Sequence, residues 1–113
     1  MQKAKMRKMV RMKLSKYKEN DVSFSQHGNF RRKNRTELSE EDVVSLLFNI
    51  KKLEYCEKQP TKYRNEQKFL LEYHLSGSYN MTIIVLFKKN KIMIVSCWKD
   101  MKKFWRQIPK FKI

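Results

Sequence analysis

Two apolar runs, "MTIIVLF" at 81–87 and "IMIVSCW" at 92–98, flank a short polar "KKNK". Neither run alternates. Both pleat faces are apolar, the pattern of central strands covered on two sides rather than of strands with one wet face. The polar link suits a hairpin, so the pair predicts the antiparallel middle of a sheet. Central strands need neighbours, and upstream "QKFLLEYHL" at 67–75 alternates, with Phe69, Leu71, Tyr73 and Leu75 on one face and Leu70, Glu72 and His74 on the other. "KLEYCE" at 52–57 sets Leu53 and Tyr55 against Glu54, while "SGSYN" and "KQPTKYRNE" supply the connections. Together these runs predict a meander of about four antiparallel strands.

Earlier in the chain the period becomes helical. Residues 4–17 place Ala4, Met6, Met9, Val10, Leu14 and Tyr17 near one face and cover the rest with lysine and arginine. Packing on the domain is the simplest use of such a helix; docking a partner or lying on anionic lipid are the alternatives. Val22 to Ser25 reads as a short extended piece, and Ser25 caps a helix over 26–34 that "RTEL" breaks. Ser39-Glu40-Glu41-Asp42 resembles a capping box with Asp in place of Glu. It puts acids where the helix dipole favours them, ahead of a face of Val43, Val44, Leu47 and Phe48. Asp100 reads as the cap of a last helix with a Met101, Phe104, Trp105, Ile108 stripe, stopped by Pro109. The fold class expected is α+β: N-terminal helices on one face of a small antiparallel sheet, then a C-terminal helix. The divisions are a basic amphipathic helix at 1–18, an α+β domain at 19–100 and a basic helix and tail at 101–113.

A chain of 113 residues, 41% hydrophobic, has room for one core and no more. Its net charge of +16 is unevenly spread. Residues 1–18 hold eight basic residues and no acid, residues 88–113 hold nine and one acid, and the stretch between is neutral. Self-repulsion on this scale calls for an acidic partner: nucleic acid first, an acidic protein second. Lys5, Arg7, Lys8 and Arg11 are candidate phosphate contacts. The longest apolar run, Ile83 to Phe87, cannot span a bilayer, and no secretory signal is readable, so no membrane partner is expected. Cys56 and Cys97 lie in no CxxC or Cys/His cluster and read as buried thiols of a reducing, cytoplasmic compartment. The chain has no Gly-rich phosphate loop, paired metal carboxylates, HExxH or GxSxG. No metal or cofactor is therefore expected, and phosphotransferase, metalloenzyme and serine-hydrolase readings fall away.

Chemistry concentrates in "FSQHGNFRRKNRTELSEEDV", residues 24–43. On a helix His27, Arg31 and Arg35 advance by about 12 Å and drift by only about 80°, so they form one stripe, with Arg32 and Lys33 beside it. Arginine forks suit phosphate oxygens, and histidine exchanges protons near neutral pH. The plain alternative is that His27 packs or caps and the arginines pair with Glu40 and Glu41. Glu72 and His74, two apart on one strand face, form a second acid and base pair, although Leu70 shares that face. In the loop Tyr63 and Arg64, and further on Trp98, offer base contacts; for Trp98 and Trp105 core packing competes.

The tract His27-Gly28-Asn29-Phe30-Arg31-Arg32-Lys33-Asn34-Arg35 followed by "TELSEEDV" resembles the signature of a small family of mostly uncharacterised domains, H-A-x-x-R-x-x-x-R, a short break, then S-x-x-D-V. That family is related in fold to RelE-type toxins, within the barnase-like and colicin-like ribonucleases. The resemblance covers roughly residues 22–98, and Ser96 stands where the last strand of the pattern carries threonine. Gly28 replaces the usual alanine and the break is about one residue longer. Because glycine costs a helix about 1 kcal/mol, a frayed or late helix start is expected. The resemblance implies an RNA-binding domain that cleaves RNA without metal. On this reading His27, Arg31 and Arg35 would be catalytic, with Glu72 and His74 as their complement from the sheet, and Arg32, Lys33, Arg64 and Ser96 would contact nucleic acid, joined on the ground of charge by Lys5, Arg7, Lys8 and Arg11 outside the resemblance. The alternatives are a non-catalytic RNA- or DNA-binding module of a mobile element or virus, and a protein that docks an acidic antitoxin-like chain.

Overall fold

The computed structural model describes residues 3–62 and 64–101. Helix α1 spans Lys3–Leu14, strand β1 Val22–Phe24, helix α2 Gln26–Arg35 and helix α3 Glu40–Phe48. Strands β2 Leu53–Gln59, β3 Gln67–His74, β4 Tyr79–Phe87 and β5 Ile92–Met101 follow, with single 3-10 turns at Glu19–Asp21 and Ile50–Lys52. The expected meander is present as β2 to β5, each strand antiparallel to the next.

Two expectations are corrected. The sheet has five strands among the described residues, in the order β1-β5-β4-β3-β2, and it is mixed because β1 runs parallel to β5. The extended piece at Val22 is therefore a strand, held by a partner about 70 residues away. The second correction is at the other end. Asp100 caps no helix: β5 continues through it to Met101, and Asp100 stands opposite Asn80 and accepts a 3.4 Å hydrogen bond from Trp98 Nε1. The rest of the expected C-terminal helix lies outside the described residues.

One face of the sheet carries the core. Leu53 and Cys56 of β2, Phe69, Leu71 and Tyr73 of β3, Met81, Ile83, Val85 and Phe87 of β4, and Ile92, Ile94 and Cys97 of β5 are buried there. Helix α1 seals it with Val10 and Leu14, helped by the half-buried Met6 and Met9, and Tyr17 just past the helix reaches Phe87 and donates to the Lys88 carbonyl. The basic helix at the N-terminus is thus part of the core rather than an appendage. Helix α3 adds Val43, Leu46 and Leu47, tied down by Tyr73, whose hydroxyl donates to the Leu47 carbonyl at 2.6 Å.

Capping fixes the α2 to α3 corner. Ser25 accepts from the Gly28 N–H at 2.9 Å and Ser39 from the Asp42 N–H at 3.1 Å, as their positions predict. Between the helices Thr36 Oγ1 donates to the Arg32 carbonyl and accepts from the Leu38 N–H, while Glu37 takes a left-handed conformation at φ 62°. Glutamate is costly there and glycine is not. Glu37→Gly is expected to raise unfolding stability by about 0.5 to 1 kcal/mol in urea denaturation; no gain would mean that the bend is not strained.

Candidate nucleic-acid interface

Helix α2 lies on the core face over β5, and what seats it is a glycine. A Cβ on Gly28 would collide with the carbonyl oxygen of Ile94 and stand 3.1 Å from its carbon. The Gly28 carbonyl receives the Cys97 thiol at 3.9 Å, the Ser25 N–H donates to Ile94 O at 2.9 Å, and Ser25 Oγ donates to Val95 O at 3.4 Å. The helix is complete from Gln26, so the expected fraying at Gly28 does not occur: the glycine is required by close approach to the strand.

With Gly28 inward, His27, Lys33 and Arg35 are exposed and Arg31 is half-buried. Arg31 Nε donates to His27 Nε2 at 3.3 Å, which holds the imidazole and the guanidinium together on the surface and requires an unprotonated Nε2. Neither Arg31 nor Arg35 forms an ion pair with Glu40 or Glu41; ion pairs among the described residues join His74 to Glu54 and Lys88 to Glu66. Arg32 differs from its neighbours. Its Nε and Nη2 donate to Asn29 Oδ1 at 3.1 and 2.9 Å and its Nη1 to the Leu38 carbonyl at 2.7 Å, so it locks the end of α2 to the following bend.

The other candidates are dispersed. Glu72, His74 and Ser96 sit on the face of the sheet opposite the helices, since Phe69, Leu71, Tyr73 and Cys97 face the core and residues alternate. In pair register Glu72 lies between Tyr55 and Thr82, and Ser96 lies beside Ile84. His74 Nδ1 is 3.9 Å from a Glu54 carboxylate oxygen, both side chains being well exposed. His27 and His74 therefore do not share a cleft, and the five residues expected to be catalytic separate into two groups. Lys5, Lys8 and Arg11 are exposed on α1, which packs against β2, on the helix-bearing side but at the other end of the sheet. Arg7 is half-buried near Cys56, and Arg64 is exposed in the β2 to β3 loop; Tyr63 lies outside the described residues.

A groove of about 710 Å³ opens beside β1 and the first turns of α2 and α3, lined in part by Phe24 and Val44. Its walls also carry Glu19, Glu40 and Glu41, which repel phosphate. Burial pushes the Cys56 and Cys97 thiols up to about 11, against a smaller opposing pull from Arg7 and Arg32 respectively, so neither is poised as a nucleophile. Among the described residues no group of three or more His, Cys, Asp or Glu is arranged to hold a metal ion, and no helix is long and apolar enough to cross a membrane.

Sequence reasoning misses Phe30. It is 63% exposed on α2, one position before Arg31, and Asn34 Nδ2 donates to its carbonyl at 2.8 Å. A signal for it does exist: α2 has no apolar stripe to which a phenylalanine could belong. A scan against protein-family models, a search of curated proteins and a search of solved structures each return no match to this chain.

Proposed function

We propose that this protein binds nucleic acid, RNA in preference, through the exposed face of α2. The observation that carries the proposal is the group His27, Arg31, Lys33 and Arg35, held on a helix seated directly on the backbone of β5 and without carboxylate partners among the described residues. In a protein of net charge +16, such a face offers phosphate a preorganised set of donors. Lys5, Lys8 and Arg11 on α1 add a second basic patch on the same side of the sheet, at its other end.

Binding is tested by fluorescence anisotropy of labelled RNA between about 50 and 200 mM salt. Neutralising Arg31, Lys33 and Arg35 together is expected to weaken binding and to flatten the dependence of log affinity on log salt by roughly 0.7 for each phosphate that is no longer neutralised. An unchanged slope sinks the assignment of the phosphate face to α2. For α1, substitution of Lys5, Lys8 and Arg11 by glutamine is the suitable experiment; deletion would remove Val10 and Leu14 from the core.

Metal-independent RNA cleavage of the RelE type is a second reading, favoured by the 3.3 Å hydrogen bond between Arg31 and His27. Proton transfer at His27 next to a guanidinium that steadies charge on phosphorus is the chemistry such cleavage needs. Glu72 and His74 lie on the other face of the sheet, so this reading rests on His27, Arg31 and Arg35 alone. Cleavage in EDTA that His27→Ala abolishes while RNA binding persists supports it, and binding without cleavage excludes it for the RNAs used.

A further inference from the structure

We propose that Phe30 is a base-stacking residue, and that the partner of α2 is therefore single-stranded RNA, an unpaired base lying on the ring while Arg31 and Lys33 hold the flanking phosphates. The inference rests on the nucleic-acid reading above and specifies its substrate class.

Around the helix, His27 and Asn34 flank Phe30 at i−3 and i+4, Gln26 and Lys33 at i−4 and i+3. All four are hydrophilic, so the ring has no apolar neighbour on its own helix to lie against. Nor can α2 roll to bury it, because Gly28 admits β5 on the opposite side and nothing larger would fit. A phenylalanine in this position keeps its ring in water, a standing cost unless a flat apolar partner covers it. The surrounding cations and amides select the kind of partner. An acidic protein would supply charge, but a nucleic acid supplies charge and a π-face together. In a duplex those π-faces are occupied by neighbouring base pairs; in a single strand they are open. Around the helix Phe30 stands about 60° from His27 and from Lys33 and about 100° from Arg31, so ring and phosphate contacts engage one strand at once.

The test compares single-stranded RNA, the same sequence as a duplex, and single-stranded DNA, against wild type, Phe30→Ala and Phe30→Trp. Phe30→Ala is expected to weaken single-strand binding roughly 10-fold while leaving duplex binding and the circular-dichroism spectrum unchanged. Phe30→Trp is expected to retain the affinity and to add indole fluorescence that bound bases quench. Equal weakening on single strand and duplex, or none on either, overturns the stacking role and points to a protein contact at Phe30. Tighter binding of single-stranded DNA than of RNA overturns the choice of RNA. If wild type binds none of the three, the nucleic-acid reading itself fails, a result distinct from intact binding that is indifferent to Phe30.

Discussion

Replacing Gly28 by valine is expected to cost the fold about 3 kcal/mol or more, and Gly28→Ala about 2 kcal/mol, measured by urea denaturation. Helix propensity alone gives the opposite sign for alanine, a gain of about 1 kcal/mol in a helix interior. Steric repulsion wins because the added atom meets a backbone carbonyl rather than the end of a flexible side chain. To admit it, α2 must lift from β5, which strains the Ser25 to Ile94 hydrogen bond and opens the space over Cys97. The valine adds β-branching, with two further methyl groups against the same wall. A Gly28→Ala protein as stable as wild type would show that the helix tolerates a wider seat.

The second large effect is alkaline. Burial raises the Cys56 and Cys97 thiols from an ordinary 9.0 to about 11. The raised value belongs to the folded state, so stability is fully present below about pH 9 and is lost as the unfolded chain releases protons that the folded chain retains. Between pH 8 and 11 the pair is expected to cost about 4 to 5 kcal/mol, shared nearly equally. Tyr73, whose hydroxyl burial and the neighbouring Cys56 hold above its ordinary value, acts in the same direction. Denaturation curves at pH 8, 9.5 and 11 for wild type and Cys97→Ala check this. The variant starts less stable but falls by about 2 kcal/mol less over the same range. Parallel decline in the two proteins would rule out the thiol as a source.

What is legible in the sequence follows from how local each signal is. Ser25 and Ser39 act within three residues of themselves, and both helix starts are readable. The strict alternation of β3 and the runs of β4 and β5, apolar on both pleat faces, identify the meander and its central pair. β1 reads only as an extended piece because Val22–Phe24 is too short to show a period and its partner lies far along the chain. Asp100 reads as a helix cap, but pairing with β4 carries β5 through it to Met101. For the site, the i, i+4 rule recovers the pairing of His27 with Arg31. Joining them to Glu72 and His74 fails for a reason present in the pattern itself. Helices α1 to α3 cover the face of Phe69, Leu71 and Tyr73, so residues alternating with those three face away from every helix among the described residues. The role of Gly28 is not legible, because it depends on a helix-to-strand distance that no local spacing encodes.

The parallel pairing of β1 with β5 also sets an order of events in time. Val22 to Phe24, the Ser25 cap and the Gly28 seat all lean on residues 92–97, about 70 positions later in the chain. During synthesis α2 is made early and waits, without the strand on which it rests, until β5 has emerged. The surface that carries His27, Phe30 and Arg31 thus acquires its shape only once a strand translated about 70 residues later is in place. Pairings of such sequence separation slow folding. On ribosome-bound chains, protection of α2 from protease is expected to appear only after residue 97 has cleared the exit; protection at shorter lengths would show that the helix finds another support first.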